Sequence, residues 1–445
     1  MKPRVVITGM GWVTPLGDDV DAVWARLLRG DSGVGRISRF DARAFSTDFA
    51  SEVRSLRLED YLPSSAAEHD HAGLNTRFAL GAAARAWAQA GLGPPGSGRI
   101  NRRRLGIYLG SGEGSLDFDN FVASNLAGWR EDTRSVDAVA WARAAYARMD
   151  ARREIEQEPN MPLAHVASAF GAGGPAYNCL TACAASTQAI GEATEIIRRG
   201  DADMMIAGGA HTMIHPLGVT GFIRLTAVSS KRDDPLRACS PFDQTRSGFV
   251  MGEGGGMLIL ETLDHARARG AQPLAEIVGY GSSADAYRIT DIQPQGLGAQ
   301  HSMREALDEA GIDPLATGND GRPPVHYISA HGTGTKENDA VETRAIKAVF
   351  RDNAPRVPVS SVKSMLGHLI AAAGAVELIT CVQAIKTGIV PPTINLRTPD
   401  PECDLDYIPN QRRDLNASGG VDVCLSNSFG FGGQNDTLIV RRFRE

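Results

Sequence analysis

The chain is expected to fold as an α/β protein made of two similar halves that face each other in one body. Three observations predict this. Short apolar runs alternate with amphipathic helical stretches, glycine clusters stand at the ends of those runs, and the order of elements begins again near residue 275. The halves are placed at 1–270, with an inserted stretch at about 115–160, and at 271–445. No Pro/Ser-rich linker separates them. A length of 445 residues with 42% hydrophobic content can bury one large core or two domains. The net charge of −6 gives no support to nucleic-acid binding. The opening run RVVITGM is too short for a signal core or a membrane span, so a soluble cytoplasmic enzyme is expected, with no membrane contact. The six cysteines are scattered without a C-x-x-C pair, which suggests neither a zinc site nor a disulfide framework, and no metal is expected.

In chain order, RVVITGMGWVT reads as a strand entering a glycine turn. Residues 18–30 read as a helix with acids early, Arg late and Gly30 at its stop. Residues 71–91 form a second helix ending at Gly91, and 105–114 (LGIYLGSGEG) a strand entering a glycine-rich turn. Residues 115–160 are polar, with the helical run WARAAYARMDARREIEQE, and read as a solvated helical excursion. The centre of the chain is 177–210, YNCLTACAASTQAIGEATEIIRRGDADMMIAGGA. There Cys183 stands among small residues at a helix mouth. Ile190, Ala193, Ile196 and Ile197 recur at helical spacing, Gly200 marks the stop, and Met204 to Ala207 form a covered strand. Residues 237–261 run through turns into a strand, and ETLDHARARGAQ is a surface helix. Then 275–286 (AEIVGYGSSADA) echoes the opening strand, and 325–334 (VHYISAHGTG) parallels 105–114. Residues 363–392 parallel the Cys183 unit, with small residues at a helix mouth, a helix, Lys386, Gly388 and a short apolar strand.

Four sites at element ends carry chemistry: Cys183; His331 in SAHGTGT; Lys363 with His368 in SVKSMLGH; and NSFGFGGQN, 427–435. A helix N-terminus favours a thiolate, which makes Cys183 a candidate nucleophile; the alternative is a small buried hydrophobe. A Cys–His–Asn hydrolase needs one His beside its thiol. Two His suit another demand, the donation of two hydrogen bonds to one carbonyl oxygen as it becomes an enolate. Lys363 requires a carboxylate partner, and Glu342, on the helix read from NDAVETRAIKAVF, is expected to supply it. That pair is either an ordinary ion pair or a means of orienting His368.

TACAAS, HGTGTKENDAVET, SVKSMLGHLIAAAGAVE, PPTINLRTPDPECDLDYIPN and NSFGFGGQN together resemble the β-ketoacyl-acyl carrier protein synthases, over almost the whole chain and in order. The resemblance implies the thiolase fold, five αβαβα layers from two duplicated halves, normally as a homodimer. It implies that Cys183 takes an acyl chain from an acyl carrier protein. His331 and His368 would then bind malonyl carrier protein, promote loss of CO2 and stabilise the carbanion that attacks the acyl-Cys183. It assigns Lys363 and Glu342 to support of the two His, and the backbone N–H groups of Cys183 and Phe431 to an oxyanion hole. Phe431 is also assigned to gating the acyl pocket, and Thr333 and Thr335 to holding the phosphopantetheine arm. Phe429 and Glu113 complete the substrate-binding set. No cofactor is implied, since phosphopantetheine arrives on the carrier protein.

The chain departs from that pattern in places. The segment between GSGEG and Cys183 is longer by roughly one helix. Glu113 stands where an apolar residue usually lines the pocket floor, so it is expected either to reach a partner or to mark a more polar substrate. HDHAGLNTRFAL lacks the usual Lys/Arg run that receives the carrier protein, which leaves Arg224 as one candidate. Ser247 replaces an Asp, without a physical account. Competing readings are a non-catalytic, chain-length-determining subunit, opposed by the intact Cys183, and a degradative thiolase, which needs a second catalytic Cys near the C-terminus and is opposed by Cys424 sitting in the strand-like VDVCLSNS rather than in a glycine-rich turn. A coenzyme A starter synthase is opposed by the spacing of Lys363 and His368. Fatty acid and polyketide synthesis both remain open, the latter with a heterodimer in place of the homodimer.

Overall fold

The computed structural model describes residues 2–94, 100–289, 291–318 and 321–445. Ten strands build its central sheet. Five come from the first part of the chain: β1 (Val5–Val13), β2 (Leu105–Ser111), β3 (Ala176–Cys179), β4 (Met204–His211) and β5 (Gly254–Thr262). Five follow: β6 (Ala275–Ala284), β7 (Tyr327–Ser329), β8 (Val359–Ser360), β9 (Val423–Phe429) and β10 (Gln434–Arg441). Their order in space is β8-β7-β9-β10-β6-β1-β5-β4-β2-β3. In each set of five, the third, second and fourth strands run parallel, while the fifth and first add antiparallel. The sets meet where Val5–Ile7 pair with Ala275–Ile277.

The longer helices among the described residues are α1 (Val20–Arg29), α2 (Leu74–Gln89), α3 (Phe118–Gly128), α4 (Ala138–Arg148), α5 (Met161–Phe170), α6 (Ala185–Arg198), α7 (Pro216–Arg224), α8 (Leu297–Glu309), α9 (Lys336–Phe350) and α10 (Ala373–Thr387). Helices α6 and α10 pack on each other between the two halves of the sheet. Helices α2 and α5 cover one outer face, and α8 with α9 the other, which gives five αβαβα layers as expected. A central helix has protein on every side, so every residue of α10 from Ala373 to Ile385 is buried, the polar Glu377, Thr380 and Gln383 included. Residues 370–387 have the length and hydropathy of a membrane span, yet 89% of that window is buried inside the protein.

Paired glycines let the outer helices approach. A Cβ on Gly9 or Gly11 of β1 would strike the carbonyls of Ala86 and Ala82 in α2. One on Gly279 or Gly281 of β6 would strike those of Ala306 and Ser302 in α8. The same Gly-x-Gly device thus serves both first strands.

Two expectations need correction. Ile389–Val390 is a strand, but it pairs with Arg413–Asp414 outside the main sheet. Pro391 and Pro392 follow it and cannot donate to a ladder, so the counterpart of β4 is β9, reached after a long connection. The segment 115–160 holds more than one added helix. Helices α3 and α4 pack together around the hairpin Trp129–Arg130/Ser135–Val136. The helical run then breaks at the extended Met149, after which Asp150 caps a short helix, Ala151–Ile155.

Candidate active site

Both central helices begin with the same backbone device. A single turn, Ala182–Ala184, precedes α6, and another, Ile370–Ala372, precedes α10. Each opens on a non-glycine residue in the left-handed region, Ala182 at φ 48° and Ile370 at φ 46°. Conformations of this kind cost on the order of 1–3 kcal/mol and persist where the surroundings impose them. The first lifts Cys183 to the mouth of α6, and the second begins two residues after His368.

Cys183, His331 and His368 converge. One donor atom from each lies within 4.8 Å of the other two, and all three residues are buried. The imidazole rings of His331 and His368 stand edge to face with centroids 5.4 Å apart. The far nitrogen of each ring is occupied: Nδ1 of His368 accepts the Ile370 N–H at 3.2 Å, and Nδ1 of His331 faces the Lys363 ammonium at 3.4 Å. These partners assign the proton to Nε2 in both rings. Nε2 of His368 is buried without a partner among the described residues. Burial, reinforced by the charge of Lys363, holds both imidazoles well below their ordinary pKa, so both are neutral N–H donors at neutral pH.

The helix mouth does not lower the thiol as expected. Burial pushes Cys183 up to about 11, against the opposing charge of Lys363 and the N–H groups of Phe431 and Cys183 that act on the sulfur. Desolvation therefore outweighs the helix terminus. Those two N–H groups are the pair expected to form an oxyanion hole.

The carboxylate that meets Lys363 is Glu377 of α10, not Glu342. Lys363 Nζ forms a short contact to Glu377 and donates to the His331 carbonyl at 2.7 Å, so it orients His331 rather than His368. The signal for Glu377 lay in SVKSMLGHLIAAAGAVE, 14 residues beyond Lys363. Glu342, in α9, instead accepts the backbone N–H groups of His331 at 2.8 Å and Gly332 at 2.7 Å, with Asn427 at 3.3 Å. It shapes the HGTGT turn. Burial raises both carboxyls to about 7.

A cleft of about 950 Å3 leads from Cys183 to the surface, past His331, His368, Thr333, Thr335, Phe429 and Phe431. Thr333 and Thr335 join hydroxyls at 3.0 Å on one wall. Phe429 sits beside His331, and Phe431 is 41% exposed at the rim. Arg224 ends α7 at the mouth, and Ser247 hydrogen-bonds Ser229 at 2.9 Å on the lining. Glu113 is not a buried, unpaired carboxylate: it is exposed, and its charge acts on His211 and His215. His211 had no sequence signal. It is buried, with neither ring nitrogen partnered among the described residues; burial lowers its pKa to about 4, and a proton on it would oppose one on His368. Cys424 is buried in β9 against Cys381, apart from the cleft, so it supplies no second catalytic thiol.

A duplicated α/β fold with a thiol, two neutral imidazoles and two amide donors at one cleft defines a carbon–carbon condensing enzyme of the thiolase fold. Residues 2–266 match the beta-ketoacyl synthase N-terminal domain and residues 274–397 the C-terminal domain, and the chain belongs to the beta-ketoacyl synthase family. It is 40% identical to the 3-oxoacyl-[acyl-carrier-protein] synthase 2 of Staphylococcus aureus over 99% of this chain and 98% of that one. The enzyme of the same name from Coxiella burnetii is 40% identical, covering 99% of each chain. Among solved structures, the ishigamide ketosynthase/chain length factor aligns at TM-score 0.84 with 32% identity. The type II PKS ketosynthase AntDE, in complex with its acyl-carrier protein AntF and bound to the hexaketide, aligns at 0.83 with 34%. Both alignments cover all of both chains.

Proposed function

We propose that this chain condenses an acyl group held on Cys183 with malonyl-acyl carrier protein to give β-ketoacyl-acyl carrier protein, in fatty acid or type II polyketide synthesis. The observation that carries the reading is the pair of Nε2–H donors facing the Cys183 sulfur, each with its Nδ1 already engaged. In the first half-reaction the thiol attacks the carrier thioester, the acyl group moves to sulfur, and the released proton ends on the departing pantetheine thiol. The N–H groups of Cys183 and Phe431 receive the tetrahedral oxyanion. Thr333 and Thr335 hold the second pantetheine arm in the cleft. In the second half-reaction His331 and His368 donate to the malonyl thioester oxygen. Loss of CO2 leaves its electron pair on the α-carbon as an enolate, which attacks the acyl thioester, and Cys183 departs as thiolate and regains a proton from solvent. Decarboxylation supplies the carbanion, so the step needs neither a strong base nor a cofactor.

The chain is proposed to act in the cytoplasm as a homodimer that receives acyl carrier protein. Tyr177 and Leu180, at and just after edge strand β3, are more than half exposed, as are Leu126 of α3 and Val139 and Tyr146 of α4. Apolar surface of this kind supports self-association. The heterodimer is the second arrangement, favoured by the likeness to the ishigamide ketosynthase/chain length factor. A purely structural, chain-length-determining role is opposed by Cys183 and its converging histidines. The deciding experiment incubates the purified protein with malonyl-acyl carrier protein and acyl-acyl carrier protein and follows both proteins by intact mass. An acyl adduct on Cys183 and a β-ketoacyl carrier product are expected. Release of neither CO2 nor product, with a folded protein, rejects the assignment.

A further inference from the structure

A second group of metal-competent side chains lies outside the cleft. One ligand atom each from His71, Glu156 and His165 lies within 4.8 Å of the other two. They come from three segments: the turn before α2, the end of the 115–160 insert, and α5. Around a tetrahedral ion with bonds near 2.0–2.1 Å, ligand atoms stand about 3.3 Å apart, so small side-chain shifts would close the set.

The remaining atom of each ligand is already held. Nδ1 of His71 pairs with Asp70 Oδ1 at 3.1 Å, and Nδ1 of His165 meets Nδ1 of His69 at 2.8 Å. Glu156 Oε2 accepts the Gly73 N–H at 2.9 Å and the Thr76 hydroxyl at 3.2 Å, which leaves Oε1 facing His165 Nε2 at 2.8 Å. Metal-binding histidines characteristically engage their second nitrogen with a fixing partner in this way. His69 is 2% exposed, and its Nε2 has no partner among the described residues. Beside the group lies a cavity of about 460 Å3, lined in part by His71, Glu156, Thr212 and His215, which offers an entry path and room for a fourth, exchangeable ligand.

From this arrangement we propose that His71, Glu156 and His165 bind one divalent cation of the zinc class, clasping the 115–160 insert to α2 and α5. The two-histidine, one-carboxylate set suits Zn2+ or Co2+ over Mg2+ or Ca2+, which prefer oxygen ligands.

The test uses full-length Cys183→Ala protein, so that the thiol–imidazole group of the cleft cannot compete, and titrates it with Co2+ under visible spectroscopy and with Zn2+ under thermal denaturation. One equivalent of Co2+ with tetrahedral d–d absorption, and a Zn2+-dependent rise in Tm, are expected. Adding His71→Ala should weaken binding by roughly 100-fold or more and abolish the Tm response, while Asp70→Asn should weaken it about 10-fold. Circular dichroism checks that each variant folds, and Asp70→Asn keeps the test open if His71→Ala does not. Binding unchanged by both substitutions, or no binding to the Cys183→Ala protein at micromolar Co2+, overturns the proposal.

Discussion

At Cys183, burial and catalysis pull in opposite directions. A thiol pushed up to about 11 is nearly all protonated at neutral pH, which protects it from adventitious alkylation. Iodoacetamide labelling of Cys183 is therefore expected to be slow at pH 7 and to accelerate through pH 9–10; fast labelling with a midpoint near 7 would contradict the burial argument. The linkage follows the same sign. Because the folded pKa lies above the ordinary 9, the folded protein keeps a proton that the unfolded chain loses, so this group's contribution to stability falls as pH rises from about 9 to about 11. The imidazoles behave oppositely. Their folded pKa values lie below 6.5, so stability falls as pH drops below 6.5, where only the unfolded chain takes up protons. Malonyl decarboxylation by Cys183→Gln, which keeps both Nε2 donors, should accordingly show no acid limb at pH 6.5. A limb there would mean that the histidines titrate normally and that their neutral-donor role is wrong. Glu377→Ala leaves Lys363 buried and unpaired, a change that costs about 3–5 kcal/mol in comparable pairs. Chemical denaturation of this variant, alongside its condensation rate, separates support of His331 from mere fold stability.

The elements place these groups by repetition. The turn that presents Cys183 has its counterpart before α10, and the Gly-x-Gly of β1 has its counterpart in β6. Where a helix backbone lies against a strand glycine, even one methyl group overpacks. Gly9→Ala and Gly279→Ala are each expected to destabilise by about 1–3 kcal/mol in urea unfolding. Gly221→Ala, on α7 with open space around the added carbon, should be neutral or slightly stabilising. Equal effects at all three positions would remove close approach as the reason for the strand glycines. Reading elements from the sequence succeeded where one local rule decided the outcome. The stretch 18–30 became α1 with Asp19 as cap and Gly30 as left-handed stop, and 71–91 became α2. It failed at Ile389–Val390, because an apolar pair looks the same whether it joins the main sheet or a two-stranded ribbon.

For the whole molecule, the cleft mouth carries Arg224 and Lys336 beside Glu337, and Arg288, which pairs with Asp291 at 2.9 Å; under the proposed function Arg224 is the cation best placed to meet the carrier protein. Exposed rim charges act on encounter more than on chemistry. Arg224→Glu should raise KM for the carrier substrate and flatten its salt dependence while leaving kcat close to the parent value; a loss confined to kcat would place Arg224 elsewhere in the reaction. The α/β alternation, the repeated order of elements and the grouping of Cys183 with His331 and His368 were legible in the sequence by itself. Those depend on short motifs and on periodicity, which survive in a linear string. It took the folded chain to show that Lys363 answers to Glu377, that Glu342 braces a turn, that Glu113 is solvated, and that His211 is buried with no ring partner among the described residues. Each is a contact across layers of the fold, where spacing along the chain carries no distance, and where removal from water sets the charge a side chain can bear.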